Sequence, residues 1–170
     1  MPATAEELCA YLTQRGIVFT LHRHAPLHTV AESQALRGAI AGLHTKNLFL
    51  RDRAGALFLL SAAEDAAIDL KTLHEKLGAK GRFSFARADQ LEAFWGVKPG
   101  AVTPFGALND TEGRVSVALD ASLLDAEIVN FHPLTNDMTL GLSPADLIRF
   151  LEATSHPPQR VRLSFETPDA

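Results

Sequence analysis

Cysteine is nearly absent from this sequence, since Cys9 is the only one in 170 residues. A single thiol cannot form a disulfide within the chain, so the fold cannot depend on internal cross-links. One cysteine among seven scattered histidines is also a poor set of zinc ligands. These absences predict a reducing, cytoplasmic setting and no structural metal.

Long apolar runs are missing as well. The run from Ala56 to Leu60 is far shorter than the ~20 residues needed to cross a bilayer. The first residues also lack a basic segment followed by an apolar core. With 46% hydrophobic residues, the chain is long enough for one globular domain over 1–170. Residues 157–170 either add a strand at Val161–Phe165 or form a flexible tail.

The sequence has no basic excess, because its formal net charge is -4. This charge argues against a protein that coats nucleic acid without selectivity. The segment between Lys71 and Lys98 is nevertheless locally basic, with six basic and three acidic residues. A local nucleic-acid contact therefore stays open.

Familiar catalytic signatures are also missing. No Gly-x-Ser-x-Gly elbow is present, and no phosphate-binding glycine motif follows a predicted strand. The stretch "HEKLG" at His74 lacks the second histidine of a zinc-protease helix. Three histidines, His22, His24 and His28, could approach one another, but histidines on a strand more often make ordinary polar contacts.

Hydrophobic periodicity and capping residues predict several helices. Thr4 with Glu7 and Thr29 with Glu32 are capping boxes. Asp69 is predicted to cap a third helix, and Ser143 followed by Pro144 to begin the last one. The predicted helices are Ala5–Gln14, 29–37, 69–77, Asp89–Trp95 and 144–151.

Apolar alternation predicts a set of short strands. Two runs, Lys46–Asp52 and Ala56–Ala62, are separated by "RAG" and should form an antiparallel hairpin. Further strands are predicted at 18–23, 82–85, 114–119, 127–131 and 138–142. Because helices and strands alternate irregularly, we expect an α+β fold with a central, mixed and mostly antiparallel sheet flanked by helices.

Polar residues stand out in three otherwise apolar or structural segments. Lys46 and Asn47 open a predicted strand, Gly100–Pro104 forms a loop whose small side chains leave amides accessible, and His132 ends a strand before Pro133. An unpaired charge beside an apolar run favours a catalytic role for Lys46. The same residues are explained equally well without catalysis. Lys46 can be a solvated lysine at a strand end, Gly100–Pro104 a common loop sequence and His132 part of a simple turn.

The stretches "HTKNLFLRD", "GAVTPFGALND" and "NFHPLTNDMTLGLSPADLIRFL" together resemble the YbaK/ProX family of aminoacyl-tRNA editing domains. The resemblance is greatest to ProXp-ala, the branch of free-standing prolyl-tRNA deacylases that remove mischarged alanine. It spans roughly 6–157 and implies an α+β fold with a site that uses no metal or other cofactor.

The resemblance also implies roles for individual residues. Lys46 matches the catalytic lysine, Asn47 its neighbour and His132 a site histidine. The loop residues Gly100, Ala101, Val102, Thr103 and Pro104 match a Gly-x-x-x-Pro loop that holds the aminoacyl group, and Thr29 matches a threonine at the pocket edge. The candidates for tRNA phosphate contacts are Arg51, Lys80 and Arg82.

The implied function is hydrolysis of alanine from mischarged tRNA(Pro), with correct prolyl-tRNA(Pro) spared. The implied partners are the tRNA(Pro) acceptor stem and prolyl-tRNA synthetase, with no membrane. Two alternatives stay open: a deacylase for another amino acid such as cysteine or serine, and a non-catalytic nucleic-acid-binding module of the same fold.

Overall fold

The computed structural model describes residues 2–26 and 39–163. Four α-helices lie in these ranges: α1 (Ala5–Gln14), α2 (Leu73–Leu77), α3 (Ala88–Gln90) and α4 (Pro144–Ala153). The strands are β1 (Phe19–Arg23), β2 (Leu43–Arg51), β3 (Leu57–Ala63), β4 (Ser84–Phe85), β5 (Val115–Asp120), β6 (Val129–Phe131), β7 (Met138–Leu142) and β8 (Gln159–Val161). A π-helical turn, Leu91–Trp95, continues α3, and 3-10 turns form at Pro104–Leu108 and Ala121–Asp125.

Local sequence signals set the two longest helices. The Thr4 hydroxyl accepts from the Glu7 amide while the Glu7 carboxylate accepts from the Thr4 amide, so the predicted capping box forms. At α4, the Ser143 hydroxyl accepts from the Asp146 amide and Pro144 occupies the first turn. Both helices therefore begin where the capping residues predict. No helix among the described residues is long and apolar enough to cross a membrane.

The strands form one mixed sheet in the order β1, β7, β6, β2, β3, β5, β8, with β4 paired to a free stretch of β2. Pairings β1–β7, β6–β7, β2–β3 and β2–β4 are antiparallel. Pairings β2–β6, β3–β5 and β5–β8 are parallel. The α+β class with a mixed sheet is confirmed, and the antiparallel pairings outnumber the parallel ones by only four to three within the described part of the chain.

Aromatic side chains form the core on one face of the sheet. Phe105 packs edge-on against Phe131 of β6 and Phe150 of α4, with ring centroids 5.8 and 5.2 Å apart. Phe49 of β2 packs against Trp95, 6.1 Å between centroids. Because side chains alternate along a strand, residues next to Phe49 and Phe131 project from the opposite face.

Some predicted boundaries are wrong. Asp69 does not cap α2: its carboxylate accepts from the Lys71 amide in a preceding turn, and the helix begins after Thr72. The predicted helix at 89–95 widens into a π-helical turn before Gly96. The last strand lies at Gln159–Val161, earlier than predicted. The predicted helix at 29–37 falls outside the described residues.

Candidate active site

Lys46 lies in β2 opposite Ala62 of β3 and is half-buried. Its ammonium Nζ donates to the carbonyl oxygen of Ala66 at 2.6 Å, just beyond the end of β3. An ammonium carries three N–H donors, so this bond leaves two for other partners. The Lys46 side chain is thus held in place while keeping free donor capacity.

The pairing of β2 with β6 sets the register of Lys46 relative to His132. In the parallel pairing of β2 with β6, His44 is opposite Asn130, and the Thr45 hydroxyl donates to the Asn130 carbonyl at 2.7 Å. Lys46 and His132 each lie two residues beyond the His44–Asn130 pair. Since strand side chains repeat every two residues, both project from the face opposite the aromatic core.

His132 is held as a neutral hydrogen-bond acceptor. Its Nδ1 lies 3.3 Å from the carbonyl oxygen of Met138, which can only accept, so Nδ1 carries the proton. Burial lowers the pKa of His132 and the nearby His24 lowers it further, outweighing the opposite effect of the Met138 carbonyl. The free Nε2 can therefore accept a proton or a hydrogen bond at neutral pH.

His24 belongs to the same polar face. Its Nε2 lies 2.9 Å from the hydroxyl of Thr139, and its Nδ1 lies 2.8 Å from the carbonyl of Ala25. His22 is opposite Thr139 in the β1–β7 pairing. Across the described ranges, no three His, Cys, Asp or Glu side chains are grouped to hold a metal. His28, the third histidine of the suggested cluster, lies outside them.

The glycine loop approaches the segment that begins with His132. Gly100 is exposed and has a φ of 92°, a conformation that glycine adopts without strain. A Cβ added at Gly100 would lie 3.8 Å from Nδ2 of Asn136, in the connection between β6 and β7. The loop and the His132 segment are therefore neighbours at one end of the sheet.

Only some of the loop amides are available to a substrate. The amide of Ala101 donates to the Lys98 carbonyl at 3.0 Å, and Pro104 has no N–H. The Thr103 side chain is fully buried, and its hydroxyl accepts from Phe105 at 3.3 Å. Within the described residues, the amides of Gly100, Val102 and Thr103 have no hydrogen-bond acceptor. Because Thr103 is fully buried, Gly100 and Val102 are the candidate donors.

Trp95 anchors the loop from the core, a role that the sequence analysis missed. Its indole Nε1 donates to the Thr103 carbonyl at 2.6 Å, and the ring is fully buried. The ring also packs edge-on against His156, with centroids 5.7 Å apart. His156 in turn contacts the Asp110 carboxylate at 2.8 Å, both side chains being buried. The sequence offered only one signal for this role, which is that Trp95 is the single tryptophan of the chain.

Asn47 projects from the face opposite Lys46. Its amide oxygen accepts from the buried hydroxyl of Ser61, its partner on β3, and its Nδ2 lies 3.4 Å from the Thr45 hydroxyl. The contact with Ser61 links β2 to β3, and the contact with Thr45 lies within β2. The catalytic role predicted for Asn47 stays a prediction, and its contacts favour a positioning role.

The predicted tRNA-binding residues Arg51, Lys80 and Arg82 lie near the tip of the β2–β3 hairpin, and their role stays a prediction. Arg82 lines an open cleft of about 760 Å³ together with Arg53 and Lys71. The backbone of Lys80 is bonded to Asp52 and Arg53, at the tip of the hairpin. Arg51 projects from the opposite face of β2 to Lys46, because it lies five residues along the strand. Thr29 lies outside the described residues.

The family profile described as "Aminoacyl-tRNA editing domain" matches residues 24–150, which include Lys46, the glycine loop and His132. The chain belongs to this family. As an aminoacyl-tRNA editing domain, it is a deacylase that hydrolyses the ester between an amino acid and its tRNA. The Lys46 face with the glycine loop stays the candidate site for that reaction.

Relatives of this editing domain cover nearly the whole chain. The "Prolyl-tRNA editing protein ProX" of Acetoanaerobium sticklandii is 37% identical over 89% of this chain and 92% of its own length. The "Prolyl-tRNA synthetase associated domain-containing protein 1" of Danio rerio is also 37% identical, over 95% and 87%. A solved structure of a candidate trans-editing enzyme for prolyl tRNA synthetase, 22% identical, shares the fold with a TM-score of 0.71 over 95% of this chain and 97% of its own.

Proposed function

We propose that this editing domain acts in trans on alanine mischarged onto tRNA(Pro) and spares prolyl-tRNA(Pro). The observation that supports the proposal is the β2–β6 register, which leaves Lys46 and His132 each two residues beyond the His44–Asn130 pair, together with a glycine loop whose Gly100 and Val102 amides have no acceptor among the described residues. Two relatives with 37% identity bear names that refer to prolyl-tRNA editing or to prolyl-tRNA synthetase. Their names support tRNA(Pro) as the substrate.

Ester hydrolysis passes through a tetrahedral intermediate with negative charge on the former carbonyl oxygen. The amides of Gly100 and Val102 donate to that oxygen in the proposed mechanism. One such donor commonly stabilises the transition state by roughly 3 kcal/mol. The Lys46 ammonium adds a positive charge, either at this oxygen or at the phosphate or ribose of the terminal adenosine.

The remaining steps need a nucleophile and a proton acceptor. A water molecule attacks the carbonyl carbon, the bond to the ribose oxygen breaks, and the ribose oxygen receives a proton. A neighbouring ribose hydroxyl of the substrate assists the water. His132 presents a neutral Nε2, which orients the water or accepts a hydrogen bond from the α-ammonium group.

Steric exclusion explains how alanine is removed while proline is spared. A pocket rejects a larger side chain by clash, whereas one missing methylene changes binding by only ~1 to 3 kcal/mol. In the proposal, two half-buried apolar side chains narrow the pocket: Val102 in the glycine loop and Leu48, two residues beyond Lys46 on the same face. The deacylase therefore admits the smaller substrate.

Mischarged tRNAs test the function directly. The protein is incubated with tRNA(Pro) carrying alanine, cysteine, serine or proline, and the release of each amino acid is measured. Fastest release of alanine supports the proposal, faster release of cysteine or serine assigns a different specificity, and release of none identifies a binding module. Adding prolyl-tRNA synthetase to the alanine reaction shows whether the synthetase is a partner.

Variants at Lys46 test the mechanism. We expect Lys46→Ala to lower kcat by about 100-fold or more, because a charged donor at the reacting end is lost. Lys76→Ala, on α2, is the matched control and should retain activity. Deacylation by Lys46→Ala at the rate of the unaltered protein would remove the lysine from the mechanism.

A further inference from the structure

Phe85 is an exposed aromatic side chain on a fixed piece of strand. Its side chain is 59% exposed, although β4 is held by pairing with β2 and by a bond of 3.0 Å from the Ala86 amide to the Phe49 carbonyl. Phe83, two residues earlier, is buried edge-on against Phe58, 5.0 Å between ring centroids. The fold thus anchors β4 through one phenylalanine and presents the other to solvent.

Phe85 shares a face of the sheet with Lys46. Phe85 is paired directly with Leu50 of β2, and paired residues project from the same face. Lys46 lies four residues before Leu50, so the two also share that face, about 13 Å apart along the strand. Strand β4 also borders β2 on the same edge as β6, which carries His132 beyond its end. The exposed ring therefore lies on the same face of the sheet as Lys46, displaced along β2 and to one side of the site.

A cleft lined by basic residues lies close to the start of β4. Arg82, three residues before Phe85, lines the cleft together with Arg53 and Lys71. None of these three cations forms a salt bridge with another residue in the described part of the chain. Asp69 and Glu75 also line the cleft, so its Lys, Arg, Asp and Glu side chains sum to one positive charge. Three separate cationic donors match the repeated phosphates of a nucleic-acid backbone.

We propose that Phe85 is a stacking platform for an unpaired base in the 3′ strand of the tRNA substrate, between the Lys46 site and the basic cleft. This inference rests on the proposed function, which supplies the tRNA substrate. A stacked strand advances about 3.4 Å per nucleotide, so the roughly 13 Å from Lys46 corresponds to four nucleotides or fewer. Aromatic side chains hold such bases without reading their identity, because every base has a π-face.

Substitutions at Phe85 test the platform with the intact protein. We expect Phe85→Ala to raise the KM for alanyl-tRNA(Pro) about tenfold with little change in kcat, and Phe85→Trp to restore it. Val18→Ala is the matched control, since Val18 is 79% exposed and lies on another part of the surface. The substrate 3′-alanyl-adenosine lacks the preceding nucleotides. Phe85→Ala and the unaltered protein should therefore hydrolyse it at the same rate.

Binding of an uncharged acceptor-stem minihelix separates this inference from the proposed function. Weaker binding by Phe85→Ala, with Val18→Ala unchanged, supports the platform even if no mischarged tRNA is hydrolysed. The salt dependence of binding should be unaltered in Phe85→Ala and reduced in Arg82→Ala, because only the arginine contacts a phosphate. Equal minihelix binding by Phe85→Ala and the unaltered protein overturns the inference, as does no binding by either. A loss confined to binding of prolyl-tRNA synthetase also overturns it, by assigning Phe85 to a protein partner.

Discussion

The indole Nε1 of Trp95 donates to the carbonyl oxygen of Thr103 at 2.6 Å inside the core. This bond joins the π-helical turn at Leu91–Trp95 to the glycine loop at 100–104. Gly106 makes the close approach possible, because a Cβ there would lie 2.2 Å from the indole Cδ1. The position of the loop is thus set by buried packing and one directional bond.

Trp95→Phe should lower kcat for deacylation about tenfold and leave KM nearly unchanged. The variant keeps an aromatic ring but loses the donor to Thr103, so the Val102 amide is no longer held where charge develops. Steady-state kinetics with mischarged tRNA measure both constants. Phe49→Leu is the matched control, since it loosens packing on the same indole and keeps the bond. Equal losses of kcat in the two variants would assign Trp95 to stability alone.

Local signals in the sequence predicted most of the fold. The capping box at Thr4 and the hairpin turn after Asp52 involve residues that are close in sequence, so their spacing is readable. The helix start predicted at Asp69 was too early: its carboxylate accepts from the Lys71 amide and its carbonyl from the Leu73 amide, but the regular helix begins only at Leu73.

The arrangement of the site could not be read from the sequence in the same way. Lys46 and His132 share a face only because β2 pairs in parallel with β6. The bond from the Thr45 hydroxyl to the Asn130 carbonyl in this pairing joins residues 85 positions apart. No turn connects these strands to fix their register. The resemblance named Lys46 and His132, but it could not show that Asn47 faces the opposite side of the sheet or that Trp95 holds the loop.

The deacylation rate should fall on the acidic side only at a pH below the usual pKa of a histidine, because the rate depends on neutral His132. We call this pH the acid limit. Burial first, and His24 second, lower the pKa of His132, so its neutral form persists as the pH falls below about 6.5. The rate should drop only at lower pH, where Nε2 becomes protonated. The pH dependence of kcat/KM measures this limit.

His24→Gln should shift the acid limit, because His24 lowers the pKa of His132. Removing a neighbouring positive charge raises the pKa of His132, so the acid limit should move to higher pH. His132→Gln should instead lower the rate and abolish the limit. Acid limits that coincide in the unaltered protein and His132→Gln would show that another group titrates.

Asp52 should stabilise the hairpin tip most above pH 4. Burial raises the pKa of this carboxyl, but hydrogen bonds from the amides of Lys80, Ala56 and Ala54 outweigh it, and the net shift is downward. The folded protein thus releases the proton more readily than the unfolded chain. The resulting stability is present above the unfolded pKa and is lost as the pH falls through the folded one.

Asp52→Asn tests this contribution with little change in shape. The amide has one acceptor oxygen where the carboxylate has two, so the free energy of unfolding at pH 7 should fall by about 1 to 3 kcal/mol. Urea denaturation at pH 7 and pH 3 measures it, and the difference between variant and unaltered protein should shrink at pH 3. A difference that is equal at the two pH values would exclude a role for the charge.

Val102→Ala should weaken the exclusion of larger aminoacyl groups. The substitution removes two methyl groups from a half-buried side chain in the glycine loop. One methylene in a pocket changes the free-energy difference between two competing substrates by ~1 to 3 kcal/mol. The ratio of kcat/KM for prolyl-tRNA(Pro) to that for alanyl-tRNA(Pro) should therefore rise by about tenfold or more. Val97→Ala makes the same chemical change at a buried position just before the loop and should leave the ratio unaltered. If neither Val102→Ala nor Leu48→Ala raises the ratio, exclusion of proline by steric clash at these walls is wrong, and proline must be rejected through its missing ammonium hydrogen or its ring geometry.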